Sequence, residues 1–195
     1  LPAPVPLRIL ALLLAVPLLS PPDPARAASH GDTRLTVLDV GQGTAVVVRA
    51  GGRALLYDTG GGDPAGVNMA TAVVLPYLRQ QGIKELDTLI ISHPDADHSA
   101  GVGSVLHSLP VARFFVGGAL PGVTSGQPCV AGRAWRWPGG QTFQLLSPAD
   151  ETGLSSNDSS CVLHNEADCH RMLLAGDIER SREHALVRYW AGQLR

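Results

Sequence analysis

The stretch Ser92-His93-Pro94-Asp95-Ala96-Asp97-His98 constrains this chain more than any other. Four groups able to bind a metal, His93, Asp95, Asp97 and His98, fall within six consecutive residues directly after the apolar run Thr88 to Ile91. Such a run, bounded by polar residues, reads as a buried strand. Two imidazoles and two carboxylates at its end carry a heavy desolvation and repulsion cost unless a cation offsets it. A divalent metal, as a pair of ions, is the simplest answer, and histidine mixed with carboxylate suits zinc or manganese. His93 and Asp95 alternate, so on an extended turn their side chains converge on one ion. Asp97 and His98 are adjacent and face differently, as a second ion a few ångströms away requires.

Leu35 to Val40 and Ala45 to Arg49 read as paired strands around Gly41-Gln42-Gly43, and Ala54 to Tyr57 as a third. The third runs into Asp58-Thr59-Gly60-Gly61-Gly62, where glycine opens backbone conformations that let a loop approach a site closely. Asp58 is placed there to orient the histidine loop by hydrogen bonds, the plain alternative being an Asx-turn. Val67 to Gln81 has helical apolar spacing through Val73, Val74, Tyr77 and Leu78, with Pro76 kinking or dividing it and Gly82 ending it. Leu86 to Ile91 is the strand that delivers the histidine motif, and Val102 to Leu109 a helix. Strands follow at Ala112 to Val116, Thr142 to Leu146, Ser160 to Leu163 and Arg171 to Ala175, then a helix from Arg180 to Tyr189. Asp177 stands after a strand and before this helix, so it either bridges two cations or caps the helix.

With 195 residues the chain has room for one domain with a substantial core. Fifteen Lys and Arg against 17 Asp and Glu, a net charge of -2, exclude the basic footprint of a dedicated nucleic-acid binder; a polyanion would be held by local cations or by the metal. Residues 1–20 are apolar but broken by prolines, and Ile9 to Val16 falls short of the roughly 20 residues of a spanning helix. They read as the end of a transmembrane helix or as a secretory segment ahead of Ala25-Arg26-Ala27. Residues 21–33, with Pro21-Pro22-Asp23-Pro24, read as a linker, and the folded domain as 34–195. Cys129, Cys161 and Cys169 do not have a zinc-ribbon spacing. A hairpin folded about Asn165-Glu166-Ala167-Asp168 puts Cys161 nearer Met172 than Cys169, so free, partly buried thiols are expected. His30, His107, His164, His170 and His184 read as surface or packing residues.

Taken in order, Leu38-Asp39-Val40-Gly41-Gln42-Gly43, Asp58-Thr59-Gly60-Gly61, the histidine motif, Asn157-Asp158-Ser159-Ser160-Cys161-Val162-Leu163 and Ala175-Gly176-Asp177-Ile178-Glu179 resemble the C-terminal domain of ComEC/Rec2 competence proteins. That domain is of the metallo-β-lactamase superfamily, whose strand-end His-x-His-x-Asp-His is modified here to His93-x-Asp95-x-Asp97-His98. The resemblance implies an α/β fold, an αβ/βα sandwich of two mixed sheets lacking its C-terminal part. It implies that His93, Asp95, Asp97, His98 and Asp177 bind two divalent ions, Zn2+ or Mn2+, with Asp97 also orienting or deprotonating the attacking water. Many members supply a histidine where Asn157-Asp158-Ser159 stands, and Asp158 is the one substitute there. A closing histidine is expected beyond Arg195, so the chain reads as cut short at both ends. The implied function is a phosphodiesterase or nuclease domain of a cell-membrane DNA-uptake protein, held outside the cytoplasm, with DNA as substrate and the channel portion of the same protein as partner. The alternatives are a secreted hydrolase of another ester, lactam or thioester, and a non-catalytic module that grips DNA or a channel partner.

Overall fold

The computed structural model describes residues 32–147, 153–167 and 170–192; segment 1–20, most of the linker 21–33, and Cys169 lie outside the described residues. The first sheet contains β1 (Arg34–Val37), β2 (Val46–Ala50), β3 (Arg53–Tyr57), β4 (Leu86–Ile91), β5 (Val111–Val116) and β6 (Gln127–Pro128), in that spatial order. It is mixed: β1 to β3 pair antiparallel, and β3 to β6 parallel. The second contains β7 (Ala134–Arg136), β8 (Thr142–Ser147), β9 (Val162–Ala167) and β10 (His170–Leu174), paired antiparallel throughout among the described residues. The helices are α1 (Leu75–Gln80), α2 (Ala96–Ser99), α3 (Val102–Ser108) and α4 (Arg180–Trp190).

Every residue of β4 is buried, as expected of a parallel strand covered on both faces. Leu89 and Ile91 pack on the helical side with Val74, Leu78, Val102 and Val105. Ile90 points the other way, into an inter-sheet layer with Tyr57, Phe115, Trp137, Phe143, Leu145 and Leu163. A third cluster, Leu146, Val162 and Leu186, seats α4 on the outer face of the second sheet. The order helix, sheet, sheet, helix is the αβ/βα sandwich. Its asymmetry shows at β1, where Leu35 and Val37 lie opposite Val48 and Val46 yet remain exposed, no described strand of the second sheet reaching over them.

Three expectations are corrected. The helix over 67–81 arrives as a π-helical turn, Ala70–Val74, that passes into α1. Pro76 has no N–H and crowds the carbonyl four residues back, and the wider turn, in which the Leu75 N–H donates to the Ala70 carbonyl, relieves that crowding. The hairpin does not turn at Asn165-Glu166-Ala167: those residues are β9 itself, with Met172 opposite Asn165 and Leu174 opposite Leu163. Their polar side chains are satisfied on the sheet, since the Asn165 amide donates to the Thr142 carbonyl at 3.0 Å and Glu166 pairs with Arg171 at 3.3 Å. The cysteines, finally, are not all free: Cys129 and Cys161 form a disulfide with Cα atoms 5.7 Å apart. Parallel pairing of β6 with β5, continued by the Cys129 N–H on the Val116 carbonyl, brings Cys129 against the start of β9, a contact between sheets that local register does not reveal.

Candidate metal centre

Three strand ends meet at one edge of the sandwich. Just past β3, Asp58 takes a φ of 61°, a left-handed conformation uncommon for any residue but glycine. Its fully buried carboxylate reaches the end of β4, where Oδ1 accepts the Ser92 N–H at 2.6 Å and Oδ2 accepts the Ser92 hydroxyl at 2.8 Å. The same Oδ2 lies 2.8 Å from His98 Nδ1.

After β4 the chain bends through His93, Pro94 and Asp95, then closes the single helical turn α2, with the His98 and Ser99 N–H groups donating to the Asp95 carbonyl. This turn folds His98 back over His93, ring centroids 4.2 Å apart. The loop between β1 and β2 presses on α2 at Gly43, whose φ of 103° and contact with the Asp97 carbonyl leave no room for a side chain. Asp177 comes from the second sheet, one residue beyond Gly176. It is not the helix cap, a position Glu179 holds; its Oδ1 stands 3.4 Å from His98 Nε2.

Ligand atoms of His93, His98 and Asp177 therefore lie within 4.8 Å of one another. Asp95 Oδ2 is 3.5 Å from His93 Nε2, while its Oδ1 accepts the Ser156 hydroxyl at 2.6 Å. Asp97 Oδ2 is 4.0 Å from His98 Nε2. The structure thus gathers all five residues singled out in the sequence on one rim, the histidines buried and the three carboxylates partly exposed. Asp158 faces elsewhere: its carboxylate accepts the Glu179 N–H at 2.9 Å and the Ser181 hydroxyl at 3.3 Å, anchoring the start of α4.

Burial, followed by the neighbouring His98, lowers the His93 pKa. Burial alone would lower His98 too, but the hydrogen bond and charge of Asp58, with Asp177 and Asp97, outweigh it and raise that pKa. Asp58 is raised, its desolvation exceeding the help of His98 and Ser92. His93 Nε2 is buried with no hydrogen-bond partner. An orphaned ring nitrogen, a second imidazole held through Nδ1 by a carboxylate, and acids on the rim are a donor set that fits a divalent cation. Sequence reasoning gave no part to Ser92 or to Ser160, whose hydroxyl lies 3.4 Å from His93 Nδ1 and accepts the Asp177 N–H at 3.3 Å. The available signal was position, since Ser92 directly follows β4 and Ser160 stands two residues before β9.

Comparison with known proteins agrees with this geometry. Residues 38–194 match the family model described as the metallo-beta-lactamase superfamily. The chain is 36% identical over 156 residues to Recombination protein 2 of Haemophilus influenzae, covering 80% of this chain and 19% of that protein. It is 33% identical over 168 residues to Competence protein ComA of Neisseria gonorrhoeae, covering 86% of this chain and 23% of that one. It therefore spans about a fifth of the length of these curated relatives. Among solved structures, CmlA, a diiron beta-hydroxylase from Streptomyces venezuelae, shares the fold at a TM-score of 0.51 and 18% identity, over 83% of this chain and 33% of that one.

Proposed function

The chain belongs to the metallo-β-lactamase superfamily, and from that premise we propose that it is a metal-dependent hydrolase, phosphodiesterase or nuclease in type, forming the extracytoplasmic domain of a membrane DNA-uptake protein and degrading the strand that is not imported. The observation that carries the hydrolase reading is a buried His93 Nε2 that forms no hydrogen bond, in a cluster where ligand atoms of His93, His98 and Asp177 lie within 4.8 Å of one another. His93, His98 and Asp177, with Asp95 and Asp97 on the rim, would hold the ions, and the mixed nitrogen and oxygen set suits a pair of Zn2+ or Mn2+. Bound metal supplies a water of lowered pKa and neutralises charge on the oxygen of the group under attack. Asp58 keeps His98 in register from behind. Asp97, its side chain about a third exposed, is the carboxylate placed to orient the attacking water or take its proton.

Fold does not set substrate: one solved protein of like fold, CmlA, is a hydroxylase by its own description. The DNA reading is supported by two relatives whose names are Recombination protein and Competence protein. With a net charge of -2, grip on a polyanion falls to the metal rather than to a basic surface. The disulfide Cys129–Cys161 favours an oxidising compartment and so the outer side of the membrane. Among the described residues no helix is long and apolar enough to cross a membrane, and the channel is assigned to the rest of a longer protein.

The test is to load the chain with Mn2+ or Zn2+ and follow end-labelled duplex DNA. Strand cleavage is expected, reduced about 100-fold or more in His93→Ala and in Asp97→Ala. Absence of cleavage with either metal, or equal cleavage by both variants, sinks the nuclease reading; turnover of a lactam or thioester in its place redirects it to another hydrolase of this fold.

A further inference from the structure

We infer that Ser92 is a positioning residue: its hydroxyl extends the hold of Asp58 to His93 and fixes which ring nitrogen of that histidine carries the proton. The hydroxyl has one proton, and Asp58 Oδ2 at 2.8 Å is an acceptor for it. The backbone N–H of the same serine occupies Asp58 Oδ1 at 2.6 Å, which locks the pair in this orientation. With its proton committed to Asp58, Ser92 Oγ offers only lone pairs to His93 Nδ1, 3.0 Å away. That contact is a hydrogen bond when Nδ1 is the protonated nitrogen. His98 Nδ1 faces Asp58 Oδ2 directly at 2.8 Å and carries its proton for the same reason. Nε2 is then the nitrogen each ring keeps for a cation, His93 Nε2 lying 3.5 Å from Asp95 Oδ2 and His98 Nε2 3.4 Å from Asp177 Oδ1.

The reverse arrangement, with Ser92 donating to His93 Nδ1, takes a bond from a fully buried carboxylate and moves the N–H to a buried Nε2 where Asp95 Oδ2, at 3.5 Å, is too distant for a full hydrogen bond. Each loss is costly away from water. Ser160 is the lesser support: its hydroxyl is 3.4 Å from the same Nδ1 and already accepts the Asp177 N–H. Ser92 is fully buried, and a side chain at Gly176 would come within 2.9 Å of its Cβ, so the hydroxyl has little room to swing away.

The inference rests on the proposed metal site for its purpose, whereas the proton arrangement is read on metal-free protein. Chain labelled with 15N-histidine gives two-bond 15N–1H spectra that report which ring nitrogen bears hydrogen. Nδ1–H is expected for both rings. Ser92→Ala should shift His93 toward Nε2–H and leave His98 as Nδ1–H, because Asp58 Oδ2 at 2.8 Å holds that proton more closely than Ser92 Oγ at 3.3 Å, while Ser160→Ala should leave both rings unchanged. His93 found as Nε2–H in the wild type, or unmoved by Ser92→Ala, overturns the inference. Zinc titrated into the same samples should bind about 10-fold more weakly to Ser92→Ala. Equal affinity in that variant overturns the role in metal binding. A wild type that takes up no zinc removes the hydrolase reading and leaves the proton result standing, so the two failures are distinguishable.

Discussion

The two ends of β4 each hold a buried carboxylate in a polar network, and the networks differ in whether they close. At the start of the strand, Asp87 accepts the Trp137 indole N–H at 2.6 Å, the Arg113 guanidinium at 2.7 Å and the Thr88 hydroxyl at 3.1 Å, and it also pairs with Arg53. Its carboxyl sits below the usual range, because these donors outweigh the burial that would raise it. At the other end Asp58 is still more deeply buried and likewise bonded, yet its network ends at His93 Nε2, which forms no hydrogen bond and has Asp95 Oδ2 3.5 Å away. A closed network ties sheets together. One that ends in an unsatisfied ring nitrogen has a donor to offer a ligand.

That contrast is broken or sharpened by making the same substitution at each end. The largest effect belongs to Asp58→Asn: zinc affinity read by calorimetry should fall about 10- to 100-fold, because the support behind His98 and Ser92 is lost. Asp87→Asn should leave the zinc dissociation constant within about twofold, since Asp87 stands five residues before Ser92, about 17 Å along an extended chain. In urea it should cost about 2 kcal/mol, from buried donors left poorly matched. Equal weakening of zinc binding by both variants would make the two ends one coupled unit and dissolve the contrast.

The smallest effect is in acid. A carboxyl lowered by folding stabilises above its unfolded value, about 4, and that contribution fades as pH falls through the folded value. The stability gap between wild type and Asp87→Asn should therefore be full at pH 7 and narrow below about pH 4. Asp58, raised by burial, contributes with the opposite sign, its share lost as pH rises through its folded value. Thermal melts of the metal-free variants across pH measure both trends; a gap at Asp87 that widens in acid refutes the assignment.

Of these two ends the sequence exposed only one. His93, Asp95, Asp97 and His98 are contiguous, and unpaired charge after a buried strand is a local signal; Asp177 needed only a second strand end. Asp87 draws its partners from β3, β5 and the segment after β7, each an ordinary arginine or tryptophan alone, so nothing short of the fold assembles them. The same reason hid Cys129–Cys161. Strands with clean apolar alternation were legible, whereas β6 and β7, two and three residues long, carry too few side chains to show a period. The helical turn α2 was missed because its four residues look like a ligand loop. The turn near Asn165 was misread because asparagine and aspartate favour turns, whereas here a neighbouring strand satisfies the Asn165 amide.

The disulfide has a practical sequel. The Cys161 N–H donates to the Ser92 carbonyl at 2.8 Å, so the cross-link is one peptide unit from the histidine loop, and it closes a 32-residue span worth about 3.7 kcal/mol against unfolding. Dithiothreitol, a routine ingredient of nuclease buffers, would loosen that loop and sequester zinc at once. Material prepared in a reducing cytosol is chemically a different sample from material exported and oxidised, and inactivity in the former says nothing about the latter.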